Sequence, residues 1–299
     1  MSKSFKERRK VSLGSFTYLV DDDDLTAWIY EGCSNGERVL KLPESVALEG
    51  RTYRITSVEI GGYCDEDSLE ELFIPDCYEF IDEDAFRGCE NLRTVHIGKG
   101  LRWYCKWSFN GSPLEKVEID PGNPYMKVSD DGSCALSKDG KTLMYNFLQK
   151  KSLTVQEGVE EIAGCAVSCN ELTEEITLPR SLKKLGPNAI FECKRLKRLT
   201  FKEGFEEAGL QSLAWNEELR EIDFPSTLRK LGDEAITDDH NLEKITLRSP
   251  SVVDIDANET FSKADYPMQT CHLYVPASLV ESYKKHPFWG RFTHIEAIV

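Results

Sequence analysis

Apolar and polar residues alternate along this chain in short bursts, each opening on a leucine: LEELFIP from 69, LRTVHI from 92, LEKVEI from 114, LKRLTF from 196, LREIDFP from 219 and LEKITL from 242. Alternation over four to six positions predicts a half-buried strand, with every second side chain inward. The bursts themselves recur. Leu69, Leu92, Leu114, Leu172, Leu196, Leu219 and Leu242 are separated by 23, 22, 24, 23 and 23 residues, apart from one gap of 58 between Leu114 and Leu172. Three residues before the leucine stands a cysteine in three copies (Cys89, Cys169, Cys193), and seven before it an alanine in three (Ala85, Ala189, Ala235). After it come Ile74, Ile97, Ile119, Leu178, Phe201, Phe224 and Leu247, with Pro75, Pro179 and Pro225 following three of them.

One such unit cannot bury its apolar face alone, so the pattern predicts a solenoid. Successive strands lie parallel about 4.8 Å apart, and their small apolar patches merge into one core. Returns of about 18 residues leave room for turns and single helical turns on the convex side. A proline just past the strand ends the pairing without removing a ladder donor.

The strings IDEDAFRGCENLRTVHI (81–97), KLGPNAIFECKRLKRLTF (184–201) and KLGDEAITDDHNLEKITL (230–247) resemble the BspA-like leucine-rich repeat, whose unit reads roughly IgxxAFxxCxxLxxIxIP. NPYMKVSDDGSCALSKDGKTLMYNF (123–147) resembles the β-hairpin these proteins insert between coils, and LYVPASLVESYKKHPFWGRFTHIEAIV (273–299) their C-terminal cap. The resemblance covers about residues 30–299. It implies a strand-rich leucine-rich-repeat solenoid of the α/β superhelix class, with a short parallel sheet on the concave face. Departures fall at Gly62-Tyr63, Ser212-Leu213 and Ala235-Ile236, which replace the Ala-Phe pair, and at Asn216 and Asp239, which replace the cysteine.

The expected organisation is an N-terminal tail and β cap over 1–36, repeats over 37–262 with a hairpin insertion at about 120–150, and a last repeat and cap over 263–299. Phe16 to Val20 and Leu25 to Tyr30 read as strands around the turn Asp21 to Asp24, closing the open edge of a sheet. Asp131-Gly132 and Asp139-Gly140 are turn pairs inside the insertion.

Charge narrows the partners. Lys and Arg number 37 against 52 Asp and Glu, a net −15, which repels phosphate backbones and anionic lipid, so neither nucleic acid nor membrane insertion is expected. No apolar run reaches the roughly 18 residues of a spanning helix. No signal peptide is read at the start, because four aspartates arrive before an adequate apolar stretch. The family resemblance points instead to a secreted or cell-surface protein, and a cytoplasmic location stays open beside it.

Catalytic chemistry finds no motif. Gly98-Lys99-Gly100 lacks the third glycine of a nucleotide loop, there is no GxSxG elbow, and five histidines are scattered through different repeats without an HExxH pair. The ten cysteines form no CxxC and read as small buried hydrophobes. Asp21 to Asp24 read as a solvated turn, with calcium as the other reading. No cofactor, metal or catalytic residue is therefore expected.

The outward strand positions remain as the place where specificity resides: Glu71/Phe73, Thr94/His96, Lys116/Glu118, Glu175/Thr177, Arg198/Thr200, Glu221/Asp223, Lys244/Thr246 and His272/Tyr274. Phe73, His96, Lys116, Arg198, Glu221, Lys244 and Tyr274 are the candidate ligand-binding residues of a non-catalytic scaffold for a protein or glycan ligand. The resemblance adds adhesion as the expected role. The competing reading is a carbohydrate-binding module or enzyme accessory domain, carried by Trp103, Tyr104, Trp107 and Phe109; exposed coplanar rings favour it and buried rings remove it.

Overall fold

The structure is a computed structural model that describes residues 8–104, 107–109, 111–255 and 268–299. It divides into two compact units, Met1–Val128 and Ser129–Val299.

In the first unit the strands Val39–Lys41, Glu71–Ile74, Thr94–Ile97 and Lys116–Ile119 form a parallel four-stranded sheet. Alternate residues point inward (Leu72 and Ile74, Val95 and Ile97), and the positions between them, mostly polar but including Val39 and Phe73, point outward. The return path adds a second parallel ladder in which Arg51–Val58 pairs with Phe80–Ile81, and Phe80–Ile81 with Trp103–Tyr104. Its N-terminal edge is covered by an antiparallel ribbon of Arg9–Leu13, Phe16–Asp21 and Thr26–Glu31. The last two are the strands expected around the tetra-aspartate turn; the first begins at Arg9 and Lys10, inside the expected N-terminal tail, and runs on to Leu13.

In the second unit seven parallel strands run in the order Ser152–Thr154, Glu175–Thr177, Arg198–Thr200, Glu221–Phe224, Lys244–Leu247, His272–Val275 and His294–Ala297. A second ladder of mostly two-residue strands lies on the return path, from Thr142–Asn146 to Asp254–Ile255. At its start Thr142–Asn146 pairs with Cys134–Ser137 as the expected antiparallel hairpin, bulged between Ala135 and Leu136. One buried cluster extends from Cys134 to Ile295. Helical residues among those described are confined to the C-terminal cap, where Val280–Lys285 presents Tyr283 and the following 3-10 turn presents Trp289. Both are buried; the Tyr283 hydroxyl accepts the Val253 N–H at 3.1 Å, and the Trp289 indole N–H donates to the Val253 carbonyl at 3.1 Å.

One repeat sits a residue later than its leucine suggests. Leu172 is 47% exposed, while Thr173 is fully buried and its hydroxyl donates to the Lys150 carbonyl at 2.6 Å. Asn170, not Cys169, fills the preceding slot, and its carboxamide oxygen accepts the Thr173 N–H at 2.9 Å. Buried thiols do occupy that slot at Cys89 and Cys193, where burial pushes each up to about 12 and leaves it unreactive. The nine described cysteines are all free.

Backbone strain also repeats. Cys165, Asn188, Gln211 and Glu234 have positive φ, and so do Cys169, Glu192, Trp215 and Asp238, each set spaced by 23 residues. Four successive coils of the second unit thus turn two corners each through the left-handed region with residues other than glycine, at a cost of about 1–2 kcal/mol per residue that the surrounding packing must exceed.

Candidate ligand-binding surfaces

The parallel register decides which outward side chains meet. In the first unit Lys41, Phe73, His96 and Glu118 form one row across the four strands, and Val39, Glu71, Thr94 and Lys116 the next. Phe73 and His96 stack face to face, with centroids 4.1 Å apart and planes 5° from parallel. The Lys41 ammonium lies 5.3 Å from the other side of Phe73.

His96 is held from both sides. Its Nε2 lies 2.7 Å from Glu71 Oε1 and its Nδ1 2.8 Å from Glu118 Oε2. Carboxylates only accept, so both contacts are complete when both ring nitrogens carry a proton. Lys116 pairs with the second oxygen of Glu118; that hydrogen bond, with help from His96, holds the Glu118 carboxyl below its usual range.

These rows border a groove of about 980 Å³ within the first unit. Phe73, Pro75, Ile119 and Pro121 contribute apolar surface, and Glu44, Asp76, Glu118 and Asp120 surround it with carboxylates. The backbone N–H of Lys99 donates to Asp76 at 2.8 Å and holds that carboxyl low, so it stays charged. The result is an apolar trough with an acidic border.

The outward face of the second unit is built by the same register but balances its own charge. Glu175, Arg198, Glu221, Lys244, His272 and His294 stand in one row. Arg198 pairs with Glu221 at 2.9 Å, and Lys244 lies 5.4 Å from the Tyr274 ring. Thr246, expected outward, is buried between Asp223 and Tyr274 of the adjacent strands. The seven candidate residues therefore divide: Phe73, His96 and Lys116 gather on the first unit, and Arg198, Glu221, Lys244 and Tyr274 on the second.

The proposed sugar-stacking patch loses a ring. Phe109 is buried and stacks on Phe86 at 5.5 Å, which in turn stacks on Tyr63 at 5.3 Å. In the aspartate turn, Asp21 accepts the backbone N–H groups of Asp23 and Asp24. Asp22 instead takes the Tyr53 hydroxyl, Arg9 and Arg51, which together lower its carboxyl, Tyr53 most.

A group that sequence reasoning missed lies at the end of the second sheet: His272, His294 and Glu296 bring three donor atoms within 4.8 Å of one another. The local signal was the His-x-Glu pair at 294 and 296, which puts two ligand types on one strand face. Its third member, His272, comes from the preceding strand.

A match to the BspA type leucine rich repeat region covers residues 56–129 and 140–266 in six copies. The chain belongs to this family. Among solved structures it is similar to the pneumococcal vaccine antigen PcpA (TM-score 0.55, 14% identity, 98% of this chain and 99% of that one). It also matches a leucine rich cell surface protein from Faecalibacterium prausnitzii A2-165 (TM-score 0.43, 14% identity, 99% and 96%). No curated protein matches the chain. At 14% identity the PcpA structure supports the fold alone, a strand-rich solenoid. The BspA-type family membership supports the general role of such repeats as non-catalytic interaction scaffolds. No helix among the described residues is long and apolar enough to cross a membrane.

Proposed function

We propose that this BspA-type repeat protein binds a protein partner without turnover, principally through the outward face of its first unit. The supporting observation is the groove beside Phe73 and His96, where an apolar trough is bordered by Glu44, Asp76, Glu118 and Asp120. That surface suits a partner segment carrying apolar and basic side chains, and the net charge of −15 speeds the approach of such a segment. Display on a bacterial surface and a role in adhesion accord with the family and with a neighbour described as a cell surface protein.

Purified chain tested against a panel of extracellular-matrix proteins and glycans provides the check. Binding to a protein is expected, weakened about tenfold or more by the double variant F73A/H96A at unchanged thermal midpoint. Affinity indifferent to that variant, exclusive binding to glycans, or turnover of a substrate overturns the reading.

A further inference from the structure

We propose that His272, His294 and Glu296 form a binding site for a divalent transition ion of the zinc, nickel or copper type. The site follows from the ladder. His272 and His294 are register partners on the strands His272–Val275 and His294–Ala297, and Glu296, two residues beyond His294, faces the same side opposite Tyr274. Parallel strands about 4.8 Å apart bring the two imidazoles side by side. Their centroids are 4.5 Å apart and their planes 9° from parallel. The backbone is held from beneath by Leu273 and Ile295, both buried, so the three ligands stand on a rigid base.

The donor set is already converged. One donor atom from each residue lies within 4.8 Å of the others, and His272 Nδ1 is 2.7 Å from Glu296 Oε1. Adjacent donors around an ion bound at about 2.1 Å are separated by roughly 3 Å, so small side-chain rotations complete the arrangement. The His272–Glu296 hydrogen bond accounts for two of the three groups. Neither ring nitrogen of His294 has a hydrogen-bond or ion-pair partner among the described residues, although its ring stacks against that pair.

Two imidazoles and one carboxylate select the ion class. Calcium and magnesium take oxygen, whereas imidazole suits zinc, copper and nickel. Three protein ligands leave a coordination position for water or for a side chain of a partner. Lys244, the register neighbour of His272, is a cation that opposes the ion; its ammonium lies 5.4 Å from the Tyr274 ring.

Calorimetric titration of the full chain with zinc, after dialysis against a chelator, tests the site, with cobalt as a spectroscopic stand-in. The expected result is one ion per chain, a raised thermal midpoint, and cobalt absorption bands of a nitrogen and oxygen site. H294A and E296Q should each weaken zinc about tenfold or more while keeping the metal-free thermal midpoint. H96A should leave zinc affinity unchanged, since His96 is clasped by its own two carboxylates. No saturable binding, binding that survives H294A, or binding lost in H96A overturns the proposal.

Discussion

At one corner of the return path the two units fill the same slot with different chemistry. Residues 63, 86 and 109 are Tyr, Phe and Phe, stacked in succession, whereas 167, 190, 213 and 236 are Val, Ile, Leu and Ile at the same spacing of 23. All seven are buried. The second unit places its ring stack elsewhere, with Phe201 on Phe224 at 5.0 Å inside the main sheet. The slot therefore demands volume at a fixed spacing and is indifferent to aromaticity, which is why Ala-Ile copies fold as regularly as Ala-Phe ones. The outward rows differ more consequentially. In the first unit two carboxylates converge on one histidine beside a groove; in the second, acid and base alternate along the row.

The comparison breaks most visibly in the corner slot. Phe86→Ala should cost about 3–5 kcal/mol in chemical denaturation, and Ile190→Ala about 2–4, because the ring leaves the larger cavity. Equal losses would show that the aromatic stack adds nothing beyond the aliphatic one.

The second test concerns polar groups buried in each unit. Asp239 fills the cysteine slot, fully buried, with Oδ1 accepting the Asn216 N–H and Oδ2 without a hydrogen-bond partner among the described residues. Burial pushes its carboxyl well above the usual range. A folded-state value above the unfolded one means that stability falls as pH rises past about 4. Asp239→Asn should remove that fall and gain about 1–3 kcal/mol at neutral pH, read from denaturation midpoints across pH. An unaltered pH profile would refute this.

The counterpart in the first unit is Glu59. Burial, with Asp82 nearby, raises its carboxyl to about 7, so its contribution is lost between pH 4.5 and 7. Glu59→Gln should gain about 1 kcal/mol at pH 8, less than the shift alone implies because the side chain is half in water. A variant no more stable than the parent at pH 8 contradicts the assignment. The smallest effect is expected at the exposed Arg198–Glu221 pair, where Arg198→Ala should cost under about 0.5 kcal/mol. A larger loss would mark the charge row as structural.

Much of this was legible in the sequence, and the exceptions have physical causes. The leucine period placed the strands, and the alternation correctly turned Phe73, His96, Lys116, Arg198, Glu221, Lys244 and Tyr274 away from the core, since none of the seven is buried. It misplaced one coil, because Leu172 looks like the slot residue and Thr173 does not. A threonine fills a leucine slot only when its hydroxyl has an acceptor, and the Lys150 carbonyl that supplies it lies on the preceding coil. Thr246 was expected outward for the opposite reason, since alternation cannot foresee that flanking side chains cover it.

The sequence by itself determined the coil. Short-range alternation and a repeat near 23 residues leave stacked parallel strands as the arrangement that buries every apolar slot. Tertiary structure decided what the outward face can do. Register between strands 22 to 25 residues apart sets which side chains are neighbours, and no local pattern encodes that the Glu71 and Glu118 carboxylates meet His96, or that His272 meets His294 and Glu296. The core depends on each residue's own hydrophobicity, whereas the sites depend on pairs that only stacking brings together.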